Sequence, residues 1–248
     1  MCIRDRKPLV GCGIIGSALG MDKILMKTIF SNLKLPQVNY LFFQNEDLND
    51  KEVKNQLINE IVEKLNFPVF VKPSNSGSSL GISKVKNESE ILLALEKARE
   101  IDPRILIEEG LEVREIECGI IGKSKLLTSE IGEVKYESDW YDYDSKYYSN
   151  NQITIPAEID SKITKEIKEI AIQSCKALNI SGFARVDFFL EKSTNKIFLN
   201  EINTIPGFTK KSMFPMLWRA SGLNIEQLVA KLVDITSVSY THLTLPTS

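Results

Sequence analysis

The sequence predicts an α+β protein of two lobes with a cleft between them, and three observations carry that expectation. Apolar residues recur at helical spacing in some stretches and alternate like strands in others. A loop of Ser, Asn and Gly stands between two apolar runs in "VKPSNSGSSLGISKV", Val71 to Val85. The run "RILIEEGLEVREIECGIIG" is broken at Glu108 to Gly110, which offers a hinge between the lobes.

Met21, Ile24, Leu25, Ile29 and Leu33 share one helical face, and Pro36 closes that helix off. A second helix covers about 50–65. "FPVFVKP" reads as a buried strand and "GISKV" as its returning partner. Asn87 with Glu90 three residues later is a capping box for a helix running to about residue 100. Beyond the break, Ile163, Ile167, Ile170, Ala171, Ser174 and Leu178 mark another helix. "SGFARVDFFLEKSTNKIFLNEIN" is two strands joined by a polar turn. The last helix spans about 224–233 and ends near Asp234. The two ends, "MCIRDR" and "SVSYTHLTLPTS", lack the pattern of the rest and read as foreign to it.

Composition narrows the chemistry. With 248 residues, 43% hydrophobic and 26% charged, the chain is long enough for two cores and ordinary for a globular protein. A net charge of -2 without a basic stripe predicts no nucleic-acid partner. No apolar run approaches the roughly 20 residues of a membrane helix, so the expectation is a cytoplasmic protein with no membrane partner. Cys2, Cys12, Cys118 and Cys175 show no C-x-x-C spacing and read as reduced core residues. His242, the single histidine, lies in the tail, which argues against a Ser-His-Asp triad. Any catalysis would be carried by Lys, Arg, carboxylates and metal.

The Gly/Ser loop offers backbone N–H groups and little bulk beside an ammonium, which suits phosphate oxygens. A P-loop would need G-x-x-x-x-G-K-[ST] running into a helix, whereas Lys72 precedes this loop and a strand follows it. The loop is therefore read as a hairpin flap with Lys72 at its base, although alone it fits a solvated turn equally well. In "ARVDFFL" and "FLNEIN", strand periodicity puts Arg185 with Asp187, and Glu201 with Asn203, on one face each. Pairing of these strands gathers the oxygens of Asp187, Glu201 and Asn203 into a patch for one or two Mg²⁺ ions. A solvated sheet face is the plain alternative, but Asp and Asn are poor strand formers. Loop and patch together read as an ATP site.

These stretches, with "YDYDSKYYS" and "NEINTIPGFTKKSMFP", resemble in order and spacing the ATP-grasp peptide ligases of the D-alanine:D-alanine ligase type. The resemblance covers about 8–234 and implies an ATP-grasp fold. It also implies an ADP-forming ligation of two D-alanines through an acyl phosphate. By the same resemblance Lys23 and Lys72 would neutralise ATP oxygens, with Ser79 in the flap. Glu108, Glu109 and Leu111 would form the adenine hinge, and Glu115 would take the ribose. Asp187, Glu201 and Asn203 would hold two Mg²⁺ ions, or Mn²⁺. Arg185 and the backbone of Gly207 would stabilise the tetrahedral intermediate. Lys146 and Tyr147 would close over the site, while Ser78, Ser212 and Met213 would contact the amino acids.

The resemblance divides the chain into a leader with a remnant of an N-terminal domain (1–20), a central lobe (21–108), a C-terminal lobe (109–236) and a tail (237–248). It makes the chain a fragment, expected to form a homodimer when full length. Three alternatives stay open: a ligase using D-lactate or D-serine second, another ATP-grasp carboxylate-amine ligase, and an Mg-ATP-binding module without turnover.

Overall fold

The computed structural model of the chain describes residues 9–44, 48–77, 79–135 and 152–241. The chain begins with helices α1 (Ile14–Met21) and α2 (Lys23–Asn32), then β1 (Tyr40–Gln44) and α3 (Lys51–Lys64). The hairpin β2 (Val69–Pro73) and β3 (Ser83–Val85) leads through a 3₁₀ turn to α4 (Ile91–Arg99) and β4 (Arg104–Glu109). These four strands form one antiparallel sheet in the order β1-β4-β2-β3.

The rest builds a second antiparallel sheet, β7-β6-β5-β8-β9. Its strands are β5 (Val113–Gly122), β6 (Leu126–Lys135), β7 (Gln152–Thr154), β8 (Gly182–Glu191) and β9 (Ile197–Asn203). Helices α5 (Ser161–Ala177), α6 (Met213–Ala220) and α7 (Ile225–Thr241) accompany it.

Capping follows the local chemistry. Asp50 accepts from the N–H groups of Glu52 and Val53 at the start of α3, and Asp160 from that of Lys162 at the start of α5. Asn87 caps the turn by accepting from the Ser89 N–H at 3.2 Å, but Glu90 accepts from the Lys86 N–H at 2.8 Å rather than closing the box on Asn87; the first turn is 3₁₀ and α4 begins at Ile91.

Each sheet has its own apolar core. Val69, Val71, Ile105 and Ile107 pack with Leu57, Ile61, Ile91 and Leu95 under the first sheet. Ile116, Ala184, Val186, Phe188 and Leu190 pack with Ile167, Ile170 and Ala171 of α5 under the second. Strand β8 alternates strictly between buried and half-buried residues, so Arg185 and Asp187 face away from that core.

Helix α2 crosses between the two. The reading above groups it with the central lobe, yet Met26 and Phe30 are buried in the core of the second sheet. Its N-terminal turn meanwhile meets the first sheet, where the Lys23 N–H donates to the Ser74 carbonyl at 3.3 Å.

Two further expectations need correction: α2 buries Ile24, Met26, Lys27 and Phe30, whereas Met21, Leu25 and Leu33 of the expected apolar face are exposed. The last helix does not stop near Asp234 but runs to Thr241, because no Gly or Pro interrupts the chain between Asn224 and Thr241. The thiols of Cys12, Cys118 and Cys175 are free and buried, while Cys2 lies outside the described residues. No described helix is long and apolar enough to cross a membrane.

Candidate active site

Strand β2 points Val69, Val71 and Pro73 into the core, which leaves Phe70 and Lys72 on the opposite face. In the β2–β4 register Phe70 lies opposite Glu108, so Lys72 is the diagonal neighbour of Glu108. The Lys72 ammonium pairs with one Glu108 oxygen, and the Lys27 ammonium, arriving from α2, lies 2.5 Å from the other. Burial alone would push the Glu108 carboxyl up. The two ammoniums outweigh it and hold the group at about 2. Burial in turn pushes Lys27 below the usual lysine range, with Glu108 opposing that shift.

The flap is pegged at its root by a second network. Asp22 caps α2 by accepting from the Leu25 N–H at 3.0 Å and also accepts from the Ser74 hydroxyl and the Arg104 guanidinium. Burial opposes ionisation of Asp22, but these donors outweigh it and lower its pKa. Asp102 accepts from the Asn75 N–H at 3.0 Å. Ser79 sits at φ +60 in the left-handed region, part of the turn that returns the chain to β3. Ser78 lies outside the described residues.

Lys23, the first residue of α2, touches both halves of the chain. Its ammonium donates to the Ser76 carbonyl at 2.5 Å and lies 3.8 Å from a Glu201 oxygen on the second sheet. The second-sheet wall follows from register: Glu117, Asp187 and Glu201 are lateral partners across β5, β8 and β9, and Arg185 pairs with Asn203. Arg185 grips Asp187 through two hydrogen bonds of 2.7 Å, and its Nε lies 2.9 Å from Glu117. Burial would lower the guanidinium pKa, but the surrounding carboxylates raise it, so Arg185 is always charged. The Asn203 amide donates to Asp187 at 2.8 Å.

Among the described residues no group of three or more His, Cys, Asp or Glu side chains is arranged to hold a metal by itself. The set at hand is two carboxylates and one asparagine, whose carbonyl oxygen is not engaged by the Nδ2 bond to Asp187. Such a set fits Mg²⁺, a cation that takes one or two carboxylates and fills its shell from substrate phosphates and water.

The remaining residues fall into three groups. Glu109 braces the hinge with its side chain, accepting from Asn39 and from both nitrogens of Asn66. Leu111 lies in the link to β5, and Glu115 lies on β5 opposite Phe189, two residues from Glu117 on the same face. Gly207 comes so close to Ser212 that a Cβ there would stand 2.8 Å from its hydroxyl oxygen. That oxygen accepts from the Thr209 N–H at 3.0 Å, just before buried Met213 opens α6. Lys146 and Tyr147 lie outside the described residues. Sequence reading missed Lys27, whose four-residue spacing from Lys23 was a usable signal, and Glu117, signalled by its alternation with Ile116 and Cys118.

Two antiparallel sheets, the first carrying Lys72 and the second the carboxylates Asp187 and Glu201, belong to an α+β fold of the ATP-grasp class. The chain belongs to the D-ala D-ala ligase C-terminus family, whose model matches residues 29–234. It is 88% identical over 231 residues to a D-alanine–D-alanine ligase of Prochlorococcus marinus strain MIT 9301, covering 93% of this chain and 65% of that protein. It is 52% identical over 229 residues to the ligase of strain SARG, covering 92% and 65%. The chain thus spans less than two thirds of the length of these relatives.

Among solved structures, the D-alanine-D-alanine ligase from Coxiella burnetii superposes with a TM-score of 0.79 at 32% identity, covering 95% of this chain and 62% of its own. The VanG D-Ala:D-Ser ligase from Enterococcus faecalis gives 0.82 at 35% identity, covering 92% and 65%.

Proposed function

We propose that the chain carries the ATP- and metal-binding part of a ligase that joins two D-alanines through D-alanyl phosphate, for peptidoglycan synthesis in the cytoplasm. The observation that carries this reading is Lys23: one ammonium touches the flap carbonyl of Ser76 and approaches Glu201 of the oxygen patch. An anionic triphosphate laid there would meet Lys23 and Lys72 directly and the carboxylates through bound Mg²⁺.

In this reading Lys23 and Lys72 neutralise phosphate oxygens, which phosphoryl transfer between anions requires. Asp187, Glu201 and Asn203 would hold Mg²⁺, two ions or Mn²⁺ in their place, which when bound withdraws charge from the phosphate oxygens. The Glu108 to Leu111 hinge and Glu115 would receive the adenosine. Arg185, fixed by Asp187, presents a permanent positive charge to the developing oxyanion, together with the Gly207 N–H. Ser78, Ser212 and Met213 would contact the amino acids, and Lys146 and Tyr147 would exclude water that hydrolyses an acyl phosphate. The full-length protein is expected to be a homodimer.

The test is phosphate release from Mg-ATP by the full-length protein with D-alanine, and with D-serine or D-lactate competing for the second position. D-alanine-dependent release with the dipeptide as product supports the reading. A mixed product would move the second position toward the D-serine ligase neighbour, and no D-alanine-dependent release would sink the reading.

A further inference from the structure

Two ammoniums share the Glu108 carboxylate, and they are not equivalent. The Lys72 side chain keeps 12% of its exposure at the root of the flap. That of Lys27 keeps 2%, reaches Glu108 from behind and lies 5.3 Å over the Tyr40 ring. Glu201 acts on Lys27 from farther off. The trio therefore carries one surplus positive charge, and only Lys72 has a way out toward the cleft.

A buried carboxylate stripped of its partner is strongly unfavourable. Were Lys72 the sole partner of Glu108, turning toward a phosphate would strand that carboxylate, and the ion pair would resist the ligand. With Lys27 on the other oxygen, Glu108 keeps a counter-ion whichever way Lys72 points.

We propose that Lys27 is a positioning residue for nucleotide binding: it holds Glu108 in place as a carboxylate, so that Lys72 is free to leave it for the phosphates of ATP. The proposal rests on the ligase reading only in taking ATP as the ligand.

In the full-length protein, Lys27→Met locks Lys72 onto Glu108, so ATP affinity falls about tenfold or more, as expected for losing a charge-assisted phosphate contact. Adenosine, which has no phosphates, binds the variant as it binds wild type. Adding Glu108→Gln removes the trap, and because Glu108 also lies in the adenosine hinge, the double variant is read against Glu108→Gln alone, which it matches in ATP affinity. If Lys27 serves only as structural support, ATP and adenosine weaken together and the double variant does no better than Lys27→Met, which overturns the proposal.

Should Lys27→Met fail to fold, Glu108→Gln is compared with Lys27→Met/Glu108→Gln. With no carboxylate to hold, loss of Lys27 leaves ATP affinity unchanged, and a weaker double variant overturns the proposal. ATP bound equally by wild type and Lys27→Met overturns the inference and leaves the ligase reading standing. A wild type that binds neither ATP nor adenosine overturns both.

Discussion

At the scale of single residues, the site is a set of charges whose partners differ in how easily they let go. Lys72 pairs with a carboxylate that already has a second ammonium, whereas Asp187 is gripped by Arg185 through both oxygens. Removing the Lys72 ammonium by Lys72→Ala in the full-length protein should weaken ATP binding by about 1.5–3 kcal/mol, the usual worth of a hydrogen bond to a charged group. Titration calorimetry reads this directly, and an unchanged affinity would return the flap to an ordinary solvated turn. Glu201→Gln and Asp187→Asn should each abolish metal-dependent phosphoryl transfer, with phosphate release as the readout. Turnover at the wild-type rate in either variant would remove that residue from the metal set. The placement of Lys72, Asp187, Glu201 and Asn203 on their strand faces was legible because two-residue periodicity and nearby Gly or polar turns mark it locally. Lys27 and Glu117 acquire meaning only when α2 meets β4, and β5 meets β8, contacts between positions far apart in the chain.

At the scale of elements, long amphipathic stretches were legible and short or atypical ones were not. The face of Ile163, Ile167, Ile170 and Ala171 gave α5 outright, and the β8–β9 hairpin was plain from its alternation and polar turn. Helix α1 was hidden by Gly16 and Gly20 within a short apolar run, and β1 by its five-residue length. Helix α6 is only eight residues long from Met213, with Pro215 in its first turn where proline is tolerated, so no extended apolar repeat marks it. What holds α6 is tertiary: Phe214 is fully buried with Ile121, Trp218, Leu228 and Leu232, and its ring lies 5.7 Å from that of Phe183. Phe214→Ala should therefore cost about 3–5 kcal/mol of stability, measured by urea unfolding. A loss below about 1 kcal/mol would mean that α6 is not anchored through this cluster.

At the scale of the molecule, the buried charges tie stability to pH. Glu108 titrates at about 2 when folded against 4.5 ordinarily, so folding binds fewer protons at this group. Its stabilising contribution is complete above 4.5 and is lost as the pH falls from there through about 2. The unfolding free energy from urea titrations should decline across that interval. Glu108→Gln should flatten this part of the profile while lowering stability at neutral pH, where two ammoniums lose their counter-ion. A profile of the same steepness in the variant would assign the acid sensitivity to other carboxylates.

Helix α2 has a consequence for how the two sheets hold together. Its flank is sunk in the second core through Met26 and Phe30, while Asp22, Lys23 and Lys27 reach the flap root and the first sheet. It thus ties the flap root and the first sheet to the second core. Lys23 and Lys27 hang from a helix rooted in the second core while touching Ser76 and Glu108, so the cation array acts as a rivet between the two sheets. Hydrogen exchange should find the α2 amides as slow as those of β5 and β8, and the flap amides fast by comparison.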